Sequence, residues 1–412
     1  MSMSSTHLGH HHAVVTHHRN AGGPVWLSAL AGLCASLVGL GLARFAYTPL
    51  IPALIAAKWF SPSDAVYLGA ANLAGYLAGA LIARELSARA GSVRALRAMM
   101  LLAALCCFAC SMPVSFAWFF AWRFLAGVAG GVIMVLAAST ILPHVPASKR
   151  GFVGGIIFAG VGLGVAASGT LVPLLLQQGL KESWIGLGIL STLLTLASWK
   201  AWPSDTAERK SNDPRPRSRQ STAVRALSVE YGFNALALVP HMVFLVDFVA
   251  RGLGQGISAG SNYWVLYGIG ATVGPLLTGH LADRAGFGPA LRVAFLIEAV
   301  AILLPAVTTA APVMIASSVI VGGFTPGIVP LVLGRIHELI PHDAARQRAA
   351  WAQATTMFAV FQAASAYGLS YLFDRTGGDY AILFAIGAAA VIASLAIDLI
   401  TALANGRQRK GD

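Results

Sequence analysis

LADRAGFGPALR, at residues 281–292, repeats LSARAGSVRALR, at residues 86–97, with seven identities in twelve positions at a spacing of 195 residues. Each copy is a short basic loop between two long apolar runs. The same spacing places Gly75, Gly79 and Gly127 on Gly270, Gly274 and Gly322. Chance readily matches glycines between apolar helices, but not loops, so the chain reads as two parallel copies of one unit. That is the build of transporters that rock two bundles about a site at the bilayer midplane.

Outward from these loops the chain is apolar. Of its 412 residues 57% are hydrophobic and 11% charged, with a mean hydropathy of +0.71, which excludes a water-soluble domain of this length. A helix needs about 20 apolar residues to cross the hydrocarbon core. Runs of that length predict helices near residues 25–57, 63–86, 95–112, 115–142, 150–177 and 183–202, then 227–250, 258–282, 290–309, 312–339, 349–373 and 380–404. The expected fold is an all-α membrane protein of twelve transmembrane helices in two pseudo-symmetric six-helix bundles, residues 25–202 and 227–404.

Residues 203–226 are polar and rich in Pro and Arg, can neither span lipid nor bury a core, and read as a cytoplasmic linker. Residues 1–24 and 405–412 are expected to be cytoplasmic tails. The first holds His7, His10, His11, His12, His17 and His18, a tract able to bind Zn or Ni but polar enough to be expected as disordered. Cys34, Cys106, Cys107 and Cys110 fall inside spans without metal-site spacing. No metal or cofactor is expected. The first apolar run is too long for a removable signal peptide, so helix 1 is expected to stay.

The formal net charge of +12 is distributed as a membrane orientation signal and not as a nucleic-acid footprint. With the N-terminus inside, 22 of the 28 Lys and Arg fall on cytoplasmic segments, four outside and two within spans, Arg44 and Arg123. The expectation is a multi-pass protein of the bacterial inner membrane with both termini cytoplasmic.

Several stretches carry a family resemblance. GHLADRAGFGPALR, residues 279–292, resembles the G-x-L-A-D-R-x-G motif that the major facilitator superfamily carries between helices 8 and 9 and between helices 2 and 3. RFLAGVAGG, residues 123–131, is similar to that superfamily's Arg-then-glycine pattern on helix 4. GLARFAYTPLIP, residues 41–52, looks like the signature of its YbfB/YjiJ-type branch, and with VPHMVFLVDFVARGLG, residues 239–254, the likeness extends over residues 25–404. The resemblance implies a secondary transporter whose cavity is lined by helices 1, 4, 7 and 10. It also implies a gate motif: Glu85, Arg89 and Gly91 in the first copy, Asp283, Arg284 and Gly286 in the second. The first copy departs from the motif, with Ala88 where the second has Asp283; Glu85, one turn earlier, is placed to supply the carboxylate. Asp283 is expected to latch the inner gate against Lys149 or Arg150 at the start of helix 5. Glu85 is expected to do the same against Arg346, Arg348 and helix 11.

Arg44 lies about 27 Å along helix 1, and Arg123 about 12 Å from the outer end of helix 4. A charge at such depth costs several kcal/mol and persists only facing protein, water or ligand. The planar guanidinium fork suits a carboxylate, so the pair favours an anionic substrate. The alternative is internal pairing, for instance Arg44 with Asp247. Substrate contacts are expected from Arg44, Tyr47, Arg123, His241, Tyr263, Tyr267, Gln353 and Gln362. Asp247, His241 and Glu298 are the candidates for proton coupling. Pro49 and Pro240 are expected to mark kinks. The function expected is alternating-access transport of a small polar or anionic metabolite or xenobiotic by a monomer in the lipid bilayer, with a proton as coupling ion and no nucleic acid. Proton-driven export of neutral or cationic drugs, and a transport-silent sensor, are the competing readings. No HExxH, paired catalytic carboxylates or nucleophile elbow points to an enzyme.

Overall fold

The computed structural model describes residues 25–146, 150–203, 221–341 and 343–411. The histidine-rich tail, linker residues 204–220 and Lys149 lie outside the described residues, as do the side chains of Arg150 and Arg348. Among the described residues every regular element is helical. In chain order the helices are α1 (Val25–Ala56), α2 (Pro62–Ala90), α3 (Ser92–Ala109), α4 (Phe116–His144), α5 (Arg150–Leu176) and α6 (Leu180–Ser198). There follow α7 (Thr222–Gly252), α8 (Gly256–Ala285), α9 (Phe287–Val307), α10 (Ala311–Leu339), α11 (Ala344–Arg375) and α12 (Tyr380–Gly411). Ten of the helices are long and apolar enough to cross a membrane. The other two are α6, which opens on Lys181 and Glu182, and α11, whose first half carries Arg346, Gln347, Gln353, Thr355 and Thr356.

Serines placed before apolar runs start several helices: the Ser61, Ser115 and Ser221 hydroxyls accept from the backbone N–H of Asp64, Trp118 and Val224, satisfying donors that a helix start leaves open. The Ser221 cap starts α7 five residues before the sequence expectation. At the other end of the chain, α12 runs on to Gly411, past residue 404, because no Pro interrupts it. The loop repeat has a conformational reason as well. Gly91 and Gly286, equivalent in the two copies, close α2 and α8 at φ 85° and 83°, a region that a side chain disfavours.

Helices α1 to α6 pack on one another, as do α7 to α12, and the tightest pairs are α2 with α4 and α8 with α10. Both pairs rest on glycine. A Cβ on Gly75 would meet the Phe124 carbonyl oxygen at 1.9 Å, and one on Gly127 the Asn72 oxygen at 2.0 Å. In the second pair, Gly270 meets the Val319 oxygen at 2.1 Å and Gly322 the Tyr267 oxygen at 2.1 Å. Each of these contacts in the second half lies 195 residues beyond its counterpart, on both sides of the contact.

The contacts that join the two halves lie in one layer. Arg44 Nη2 on α1 donates to Gln362 Oε1 on α11 at 2.9 Å. Thr48 Oγ1 on α1 donates to the Met242 carbonyl on α7 at 2.7 Å, and Trp264 Nε1 on α8 donates to Ser168 Oγ on α5 at 3.0 Å. Tyr67 on α2 faces Tyr367 on α11, ring centroids 6.4 Å apart. All of these residues sit mid-helix or toward the ends away from the basic loops. At the basic end, Gly154 and Gly155 on α5 and Gly279 on α8 have nothing within 4 Å of where a Cβ would stand. The contacts named here between the two halves thus lie away from the basic loops, and these positions near the loops are open.

Candidate functional site

Two of the helices that meet in this layer are locally widened to the π form. In α1 the π segment is Leu37–Phe45, and in α7 the segments are Pro240–Phe244 and Phe248–Gly252. Insertions of this kind shift the register of the side chains that follow, and they recur at functional sites. In α7 the distortion starts at Pro240. In α1 it precedes Pro49 and carries Arg44.

Arg44 and Arg123 line one cavity, together with Phe45, Tyr47, Thr48, Asn72, Met242 and Val243. It encloses about 20 Å³, room for a water-sized group. Arg44 is 9% exposed and Arg123 2%. Arg44 binds Gln362 and lies over the Phe45 and Tyr76 rings, 5.0 Å from each centroid. Arg123 Nη1 donates to the Ala43 carbonyl, inside the π segment of α1, at 2.7 Å. Its guanidinium stacks 4.1 Å from the centroid of Tyr47. Tyr47 is held in turn by donating to the Ala65 carbonyl at 2.7 Å. Asn72 Nδ2 donates to the Arg123 carbonyl at 3.1 Å, leaving Asn72 Oδ1 and Arg123 Nε buried without partners.

Among the described residues neither arginine forms an ion pair. The ion pairs among the described residues are Glu85–Arg89, Asp247–Arg251, Asp398–Arg292 and Glu338–Arg335. Burying a charge costs several kcal/mol. One charge-assisted hydrogen bond returns about 1.5–3 kcal/mol and a desolvated ring face about 2 kcal/mol, so each guanidinium is only partly compensated, with several of its five N–H donors unused. Two like charges of this kind on one small cavity favour an anion between them.

The structure thus brings together Arg44, Tyr47, Arg123 and Gln362 from the expected set. Tyr267 is nearby; it is fully buried, stacked on Trp264 at 4.8 Å, with its hydroxyl 2.5 Å from Thr325 Oγ1. Tyr263 and Gln353 are half-buried and do not line the cavity. His241, expected at the site, is turned away from it. Its Nε2 lies 2.9 Å from Ser317 Oγ on α10, and its ring packs on Phe384 of α12. Asp247 does not pair with Arg44: both of its oxygens bind Arg251 at 2.5 Å, and the Tyr380 hydroxyl donates to Oδ2 at 2.6 Å. The cause is local, since Arg251 stands one turn beyond Asp247 on the same face of α7.

At the basic end, Glu85 pairs with Arg89 on its own helix at 2.6 Å, in place of the expected Arg346 on α11. Asp283 and Arg284 are exposed. Glu338 accepts from the Phe287 N–H at 3.1 Å and from Arg335 at 2.7 Å, capping α9. Asp398 holds Arg292. Among the described residues no cluster of His, Cys, Asp or Glu could hold a metal.

Asn72 and Tyr76, one turn apart on α2, were not among the sequence candidates. The signal was present, a lone amide with a tyrosine four residues on in an apolar span, but the family expectation assigned the cavity to helices 1, 4, 7 and 10.

No curated protein matches the chain. A family model described as "Uncharacterised MFS-type transporter YbfB" matches residues 36–399, which includes every residue that lines the arginine cavity. The chain belongs to this family of MFS-type membrane transporters.

Proposed function

We propose that the protein is a secondary active transporter that carries a small anionic, carboxylate-bearing metabolite or xenobiotic across the bacterial inner membrane, coupled to protons. In this reading α1 to α12 are twelve spans in two pseudo-symmetric bundles. Alternating access exposes the arginine cavity first to one side and then to the other. The excess of basic residues in the loops on one side orients both termini to the cytoplasm, so the open positions near those loops face the cytoplasm, which supports an inward-facing conformation. The observation that carries the reading is the pair of buried arginines without a carboxylate partner, on one cavity, at the layer where the halves meet.

One observation favours a second reading. Both guanidiniums lie on aromatic faces, which is also how a purely structural arginine is held; the transported compound would then be neutral or cationic and the protein an exporter. Thermal stabilisation of the purified protein separates the two, because a ligand that binds the folded state raises its apparent stability. Small carboxylates are expected to stabilise the wild type and not Arg44→Ala. Equal stabilisation of both proteins by neutral or cationic compounds would support export instead.

A further inference from the structure

Among the described residues the carboxyl-terminal half holds five buried polar atoms without a partner: Ser261 Oγ on α8, and Glu230 Oε2, Asn234 Oδ1, His241 Nδ1 and Glu298 Oε1. Three of these residues stand on α7 at spacings of four and seven, which keeps them on one face. That face looks into its own half, away from the arginine cavity. Ser394 of α12 donates to the Glu230 carbonyl at 2.9 Å, and His241 meets Ser317 and Phe384. Glu298 comes from α9 to meet the same face, where Asn234 Nδ2 stands 2.7 Å from its Oε2.

Of the two carboxylates in this group, Glu230 lines a pocket that Arg335 also lines, whereas among the described residues Glu298 has no cation beside it. It is 0% exposed and stands about 17 Å along α9, deep in the apolar layer. Its one hydrogen-bond partner is a neutral amide, and among the described residues no cation pairs with it. The cations of the surrounding helices are committed elsewhere: Arg292 of its own helix to Asp398 on α12, Arg335 to Glu338 on α10, Arg251 to Asp247 on α7. The other titratable groups facing it are Glu230 and His241 on α7 and Tyr267 on α8, whose hydroxyl is engaged by Thr325. His337 on α10 is exposed. An ionised carboxylate with such neighbours costs several kcal/mol, and a carboxylic acid avoids that cost. The contact suits either state. Amide O and N exchange places by a simple flip, and 2.7 Å falls at the usual length of an O–H···O bond. The pair can therefore be an amide N–H donating to a carboxylate, or a carboxylic acid donating to the amide oxygen.

We propose that Glu298 takes up and releases the coupling proton, and that Asn234 passes its state to α7 by turning its amide, NH2 toward the carboxylate and carbonyl toward the acid. The proton moves between water on the open side and one carboxyl oxygen; no other bond changes. Because α7 also touches α1 at Thr48 and carries the two π segments, proton and anion act on each other through α7 and share no atom. This deepens the reading of a proton-coupled transporter and does not depend on which anion is carried.

The test uses the full-length protein in lipid nanodiscs without substrate. Spin labels on Gly155→Cys and Gly279→Cys, positions with open space on opposite halves, report the inner opening by pulsed dipolar spectroscopy at acidic and at alkaline pH. The parent distance distribution is expected to shift between two populations as pH changes. Glu298→Gln, an isostere of the acid, is expected to stay at the acidic limit at every pH, while Glu230→Gln and His241→Gln keep the response. Should Glu298→Gln not fold, Asn234→Ala is expected to displace the midpoint of the parent transition. A parent distribution that ignores pH, a Glu298→Gln protein that titrates like the parent, or an unmoved midpoint in Asn234→Ala overturns the proposal. Failure of the anion site appears in carboxylate stabilisation and leaves this readout untouched.

Discussion

Arg44 on α1 spends one arm of its guanidinium on the side-chain oxygen of Gln362 on α11, 2.9 Å away and across the junction of the two halves. Gln362 in turn points its amide nitrogen at the sulfur of Met242 on α7, 3.6 Å away. One neutral amide therefore occupies the fork that a carboxylate would take, and links α1, α7 and α11 while it does so.

If that arm is a carboxylate position, Gln362→Glu places a tethered carboxylate in it. An uncompensated buried charge costs about 3–5 kcal/mol, and a partner carboxylate removes that cost less its own desolvation. The variant is expected to melt higher than the wild type and to lose its stabilisation by added carboxylates, as read by thermal unfolding in detergent. A lower melting temperature with the carboxylate response intact would mean that Gln362 is only packing.

Tyr47 supports Arg123 by its ring face and is itself held by its hydroxyl. Tyr47→Phe keeps the face and is expected to cost about 1 kcal/mol, one hydrogen bond, with carboxylate stabilisation retained. Tyr47→Ala removes the face, opens a cavity and is expected to cost about 3–5 kcal/mol and abolish that stabilisation.

The glycine contacts give a paired expectation for stability. Gly75→Ala and Gly270→Ala each drive a Cβ into a carbonyl oxygen, at 1.9 Å and 2.1 Å, and are expected to lose most of the monodisperse protein in size-exclusion chromatography. Gly155→Ala and Gly279→Ala enter open space and are expected to stay within about 0.5 kcal/mol of the wild type.

Two ion pairs should differ sharply. Asp247 is 0% exposed and holds both Arg251 and Tyr380, so Asp247→Asn leaves a charge behind and is expected to cost about 3–5 kcal/mol. Glu85 and Arg89 are mostly exposed, and Glu85→Gln is expected to cost less than about 1 kcal/mol. Chemical unfolding of the two variants side by side checks the contrast.

The helices were legible in the sequence because lipid demands long apolar runs, and the loop repeat because Gly91 and Gly286 serve one backbone conformation. The two buried arginines stood out for the cost of placing them there. Partners were harder to read. Arg44 meets Gln362 and not Asp247 because Arg251 already holds both Asp247 oxygens, and Arg44 itself lies in a π segment that no periodicity in LVGLGLARF announces. That His241 and Asp247 take different neighbours was legible, since six residues put them about 240° apart on a helix; which neighbours they take was not. Asn72 lies on α2, outside the helices that the resemblance assigns to the cavity, and the structure shows that its oxygen is buried without a partner beside an arginine.

The most direct test of the arginine site is charge movement in proteoliposomes on a solid-supported membrane, challenged by concentration jumps of small carboxylates, neutral solutes and organic cations. Carboxylate jumps are expected to give transient currents with the wild type that vanish in Arg44→Ala and Arg123→Ala, with neutral and cationic solutes silent. Currents from organic cations that persist in both variants, with carboxylates silent, would contradict it.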